Sequence, residues 1–317
     1  LNTPKTEFCR VPVEVIVRYG KHIPFELFIR LSDDKLVRVA NANEDVAETT
    51  KKYMDKGVKD IFASKSEYTR FVDLMNRELA QRFFSIETST KDRMELLQNS
   101  YQVLKEVVCR FGIDEKNLSL ARNMAKNAVL MISKVDQVKE LFAQYKGECG
   151  NEYVKALFIG AVIMGMLEHF EWQSDAIKER IMLALFLRDI TLTPEDYANL
   201  KIYGDNPKKL SQKVFNHPVE IVRMLEEQGS KDFSQDILTM IQQHHERPEG
   251  DGFPLGLDHR RITLLSAILI VADYFVDKMI ESKFDLDKRM IIINEMLGLY
   301  KKGNFRRALE SLDTSLA

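Results

Sequence analysis

The chain is 317 residues long, with 45% hydrophobic and 30% charged residues and a formal net charge of −2. That balance gives no basic surface for a nucleic-acid polymer or an anionic membrane, and no apolar run approaches the roughly 20 residues that cross a bilayer. The three cysteines, Cys9, Cys109 and Cys149, are scattered, without zinc spacing or a disulfide framework, so a reducing cytoplasm is the expected location. No signal peptide is read at the start, and a chain that opens on Leu1 is expected to lack its natural first residues.

Residues 10–20 alternate apolar and polar side chains and read as a strand, as do 24–31, 35–40 and 58–63. Ser32-Asp33-Asp34 is a turn signal, which makes the second and third a hairpin. Between strands, 44–56 reads as a helix ended by Gly57. Ser64, with Glu67 three residues on, marks the start of a helix to about Phe84 through a capping box. This small α/β unit, 1–87, holds no cluster of His, Cys or paired acids and reads as a sensory or docking domain. From 88 to 147 two long helices, 91–111 and 115–146, form a connector broken at Gly112 and Asp114, with their charges on solvated faces. They offer a seam for a homodimer.

Residues 148–317 read as helix throughout. The apolar helix 151–170 is a core element, Ser174 caps the next, and Thr193-Pro194-Glu195 starts another. Helices carrying His217-Pro218 and ending at His244 follow, then an apolar run over 262–280 with Asp273 alone inside it, and helices over 286–301 and 303–314. A carboxylate in such a run must be paired or bound to a cation. The densest signal is 244–254, His-His-Glu-Arg-Pro-Glu-Gly-Asp-Gly-Phe-Pro, which includes two of only six histidines. Imidazole is the commonest metal ligand, and the glycines let the backbone approach a bound group. The plainer alternative is a polar helix terminus favoured by the helix dipole.

Asp189, His217, His244, His245 and Asp273 recur in this order over about 85 residues of helical sequence. Together with 244–254 they resemble the HD-GYP family, a branch of the HD-domain metal phosphohydrolases whose signature reads His-His-Glu-x-x-Asp-Gly-x-Gly-Tyr-Pro. His244, His245, Glu246, Gly250, Gly252 and Pro254 match it. The resemblance covers about 150–280 and implies a mainly α protein, an all-helical HD-GYP-type bundle joined by long helices to the small α/β domain. It further implies cyclic di-GMP or a related nucleotide as ligand, and hydrolysis by two or three metal ions.

The departures from the family pattern fall on one side. The namesake His-Asp pair is Arg188-Asp189, the lysine that follows is Leu192, and the first metal histidine falls on Ala156. Glu152 matches a glutamate that binds metal in some members; the family Tyr is Phe253, an Asp is Glu249, and an Arg is Ala267. By the family's assignments, one metal site keeps only Asp189 and Asp273 and gains the charge of Arg188, which suits an ion pair. The other keeps Asp189, His217, His244 and His245, a donor set for one divalent iron, manganese or zinc. Two-metal hydrolysis uses both ions, and single electrostatic contacts are often worth about 10²–10³ in rate. The chain is thus expected to be a degenerate HD-GYP protein, a binding or scaffold module of cyclic di-GMP signalling. A metal-dependent phosphodiesterase with a reduced site is the alternative. The loop of Gly250, Gly252, Phe253 and Pro254 is expected to offer an exposed aromatic to a signalling partner.

Overall fold

The computed structural model describes residues 8–13, 16, 23, 25–32, 35–58, 60–64, 66–67, 70, 72–73, 76–77, 90–133, 152–227 and 233–316. They fall in two compact units, Leu1–Asn123 and Met124–Ala317.

The first unit carries an antiparallel four-stranded sheet in the order β1-β4-β2-β3, from β1 (Phe8–Pro12), β2 (Leu27–Ser32), β3 (Lys35–Ala40) and β4 (Asp60–Ser64). The expected hairpin is β2–β3, with Leu27 opposite Ala40; the turn residues Asp33 and Asp34 lie outside the described residues. The first strand is shorter than its alternation suggests. It ends at Pro12, which has no N–H to extend a ladder, and Val13 and Ile16 are helical and fully buried. Their i,i+3 spacing puts them on one helical face, whereas a strand would send them to opposite faces.

Helix α1 (Ala47–Asp55) is followed by Gly57 at φ +80°, where a left-handed residue closes the helix. Glu67 departs from the expected capping box. One carboxylate oxygen accepts from the Ser64 hydroxyl at 2.7 Å and the other from the Glu26 N–H at 3.2 Å, so it ties the turn to the sheet. The expected continuation of that helix beyond residue 77 lies outside the described residues. Helix α2 (Thr90–Phe111) packs on β1. Asp114 and Asn117 cap the start of α3 (Glu115–Ile132) reciprocally, each side-chain oxygen accepting the other's backbone N–H at 2.9–3.0 Å. Residues 134–146 of the expected long helix lie outside the described residues.

The regular elements among the described residues of the second unit are helices. Helices α4 (Glu152–Leu167), α5 (Asp175–Leu187), α8 (Gln235–Gln243), α9 (Leu264–Glu281) and α11 (Gly303–Leu316) pack on one another as its core. Helices α6 (Pro194–Tyr203) and α7 (Gln212–Glu227) lie on the α8 side, α7 against α8, and α10 (Arg289–Leu299) packs on α9 and α11. Helix α4 is buried almost all round, from Tyr153 to Leu167, as a central helix must be. Thr193 and Asp196 form a capping box at α6, with Pro194 in its first turn. The mainly α class with a small N-terminal sheet is thus as the sequence implied.

Candidate metal centre

Four side chains from three places converge in the second unit. Asp189 follows the end of α5, His217 is inside α7, and His244 and His245 follow α8. One ligand atom from each lies within 4.8 Å of every other. Asp189 Oδ1 is 3.1 Å from His217 Nε2, 3.3 Å from His244 Nε2 and 4.0 Å from His245 Nε2. His217 and His244 are buried and His245 half-buried.

The backbone sets which ring nitrogens face inward. In α7 the missing N–H of Pro218 leaves the Val214 carbonyl without its usual i+4 donor. That carbonyl oxygen is 2.6 Å from His217 Nδ1. The Ile241 carbonyl is among the last of α8, where intrahelical donors run out, and it is 2.6 Å from His244 Nδ1. A carbonyl only accepts, so both Nδ1 atoms carry the proton and donate. A neutral ring then turns a bare lone pair inward at Nε2. His217 Nε2 and His244 Nε2 are 3.3 Å apart, and both face the Asp189 oxygen.

Burial opposes a second proton on the histidine pair. Burial pushes His244 below the usual histidine value against the pull of Asp189, and burial with the neighbouring imidazoles pushes His245 well below it. Burial also opposes ionisation of Asp189, but a proton on the His217 or His244 nitrogen facing it, together with the Arg188 guanidinium, holds it well below the usual carboxylate range, and a metal ion would take the place of that proton. His245 Nε2 is buried with no hydrogen-bond partner among the described residues. Converging lone pairs, one carboxylate and an orphaned imidazole nitrogen fit a divalent transition metal.

Beside this cluster lies a second, differently built half. Arg188 is only 4% exposed. Its Nε is 3.2 Å from Asp189 Oδ2 and one terminal nitrogen is 3.0 Å from Asp273 Oδ2. Lys155, on α4, reaches Asp273 Oδ1 at 3.0 Å and Asp277 at 2.7 Å. Burial works against charge on Asp273, yet Arg188 and Lys155 hold it below the usual carboxylate range. Two fixed cations thus offset two of the three carboxylate charges without an ion, and burial raises the pKa of Asp277.

The signature loop departs from its expected exposure. Phe253 is 2% exposed, whereas Leu255, two residues on, is 48% exposed. The Phe253 ring stacks on His245 with centroids 4.5 Å apart and on Phe215 at 5.6 Å, which buries it against the cluster. Gly250 and Gly252 are partly buried and Pro254 follows a cis peptide bond.

The structure thus gathers Asp189, His217, His244 and His245, and places Asp273 with Arg188 and Lys155 instead. Glu152 lies in the first turn of α4, outside the four-residue cluster. Ala156 and Leu192 are buried apolar side chains. Lys155 and Asp277 were not singled out from the sequence; the signal for Lys155 was a lone charge inside the apolar run of α4. Near the cluster, Thr191, Gln212, Lys213, Asn216, His217 and Glu220 line an open cavity of about 400 Å³.

A family model for the HD domain matches residues 137–298, slightly over half the chain. The chain belongs to the HD-domain family. Among solved structures, the chain resembles Bd1817, a HDG"Y"P protein from Bdellovibrio bacteriovorus. The two share 15% identity and a TM-score of 0.60, over 98% of this chain and 99% of that one. At that identity the likeness speaks for the fold. No curated protein matches the chain. The HD-domain match spans Arg188, Asp189 and every other residue of both halves of the site, and the HD-GYP resemblance read from 244–254 agrees with it.

Proposed function

We propose that this chain is a degenerate HD-GYP-type protein of bacterial cyclic di-GMP signalling, a non-catalytic binding or scaffold module built round one divalent iron, manganese or zinc ion. Its place is the cytoplasm, with residues 1–87 as the sensory or docking part and the helices up to residue 147 as connector and dimer seam. The observation that supports this most is Arg188 between Asp189 and Asp273. A guanidinium there supplies the charge of a cation, but it cannot polarise a water as a metal does. Asp189, His217, His244 and His245 would hold the single ion. When bound it supplies Lewis-acid chemistry, but the second ion that steadies an in-line displacement has no ligand set left beside it.

A second reading, a phosphodiesterase with one metal, is favoured by the completeness of the histidine cluster. The two separate in one experiment. The full chain is titrated with cyclic di-GMP by calorimetry and assayed for its breakdown with iron or manganese in excess. Binding without breakdown is the expected result. Turnover abolished by His244→Ala would establish the enzyme instead, and absence of both binding and turnover would remove the dinucleotide from the account.

A further inference from the structure

The three imidazoles of the cluster are not held alike. His217 and His244 are each fixed through Nδ1 by a helix carbonyl at 2.6 Å. His245 has an orphaned Nε2, and its ring is held by stacking. It lies 4.5 Å from Phe253 at an interplanar angle of 17°, and 4.0 Å from His244 at 42°. Stacked aromatic rings attract one another beyond the area they bury, so the ring beneath matters to where His245 points.

The loop that carries Phe253 is built against the backbone of the histidine pair. The Phe253 N–H donates to the His245 carbonyl at 3.1 Å. Gly252 lies so close that a Cβ there would meet Arg247 N at 2.5 Å, Glu246 Cα at 2.6 Å and the His245 oxygen at 2.6 Å. Glu246 is almost wholly buried, and its two carboxylate oxygens accept the N–H groups of Leu255 and Leu257, each at 2.7 Å. Both ends of the turn that presents Phe253 are thereby tied to residues 245 and 246. A buried carboxylate spent on two backbone donors is a clamp for the loop.

We infer that Phe253 and Glu246 are positioning residues for His245. Glu246 sets the loop, the loop sets the Phe253 ring, and the ring orients the one cluster imidazole that no carbonyl orients. This rests on the reading of the cluster as a metal centre, and it assigns to a signature loop a role inside the site.

Two readouts on the full chain test it, with cobalt(II) as the probe metal. The first is the affinity and absorption spectrum of cobalt in the parent, Phe253→Leu, Phe253→Tyr and Glu246→Gln. Supporting ligands of this kind change metal affinity by about 10–100-fold. Phe253→Leu is expected to weaken cobalt by about that factor and to give the spectrum of His245→Ala, with no further loss in the double variant; Phe253→Tyr keeps the parent spectrum. The second is nitrogen NMR of the His245 ring in metal-free protein, where Phe253→Leu and Glu246→Gln are expected to broaden or shift the His245 signals and leave His217 and His244 unchanged. An unaltered His245 ring in both folded variants would overturn the inference, as would an equal loss of cobalt affinity from Phe253→Leu in the His245→Ala background. A parent that binds no cobalt would sink the metal-centre reading alone, because the ring signals still judge the positioning.

Discussion

Asp189 gives one oxygen to each of two unlike neighbourhoods. Oδ1 faces the inward ring nitrogens of three imidazoles; Oδ2 faces the Arg188 guanidinium. The histidine half is electrostatically incomplete and asks for a cation. The guanidinium half carries its own cations, since Arg188 and Lys155 are covalent parts of the fold and Asp273 is paired with both. The same carboxylate can therefore be a metal ligand on one side and an ion-pair partner on the other. What separates them is where the positive charge comes from: a dissociable ion or a side chain.

The contrast is broken most severely at Arg188. Arg188→Ala leaves Asp189 and Asp273 buried against each other with only Lys155 to offset them. Removing one partner of a buried pair costs about 3–5 kcal/mol, so a clear fall in the urea midpoint is expected, with manganese restoring part of it. An unchanged midpoint would mean that the guanidinium half is not a structural unit.

Pro218 sharpens the other half. Proline inside a helix is worth up to about 3 kcal/mol less than alanine. Pro218→Ala would return an N–H donor to the Val214 carbonyl and compete with His217 Nδ1. Thermal stability is expected to rise while metal affinity falls by about tenfold. A rise in both would show that the proline does not set the His217 ring.

The smallest effect is in pH. His244 and His245 sit below the usual histidine value of 6.5 in the folded chain. The unfolded chain therefore takes up protons first as pH falls through about 6.5, and stability of the metal-free protein falls with it. Urea midpoints at pH 7 and pH 5 are expected to differ in that direction. His244→Ala and His245→Ala should each flatten the slope. The same depression means few protons compete with a metal at neutral pH.

Much of this was legible in the sequence because it was local. Helix starts at Ser174 and Thr193, the stop at Gly57 and the His-His pair at the end of α8 each depend on a few neighbouring residues. Asp273 was singled out because a lone carboxylate in an apolar run must have a partner. That the partner includes Lys155 was not legible: a lysine in an apolar helix ordinarily extends its ammonium to water, and only the packing of α4 on α9 brings the two together. Phe253 failed for the same reason. A Gly-x-Pro turn reads as exposed, yet this one folds back on its own histidines, and the stack with Phe215 joins residues far apart in the chain. The alternation over 10–20 suggests a longer first strand than forms, because local alternation does not show that the ladder ends at Pro12 or that Val13 and Ile16 are buried on a helical face beyond it.

The central claim is that one half of this site takes an ion and the other already contains its charge. Elemental analysis of the full chain loaded with manganese or iron, and freed of excess, tests it most directly. One equivalent per chain is predicted, lost in His244→Ala and kept in Asp273→Asn. Two equivalents, or one that survives His244→Ala, would contradict the account.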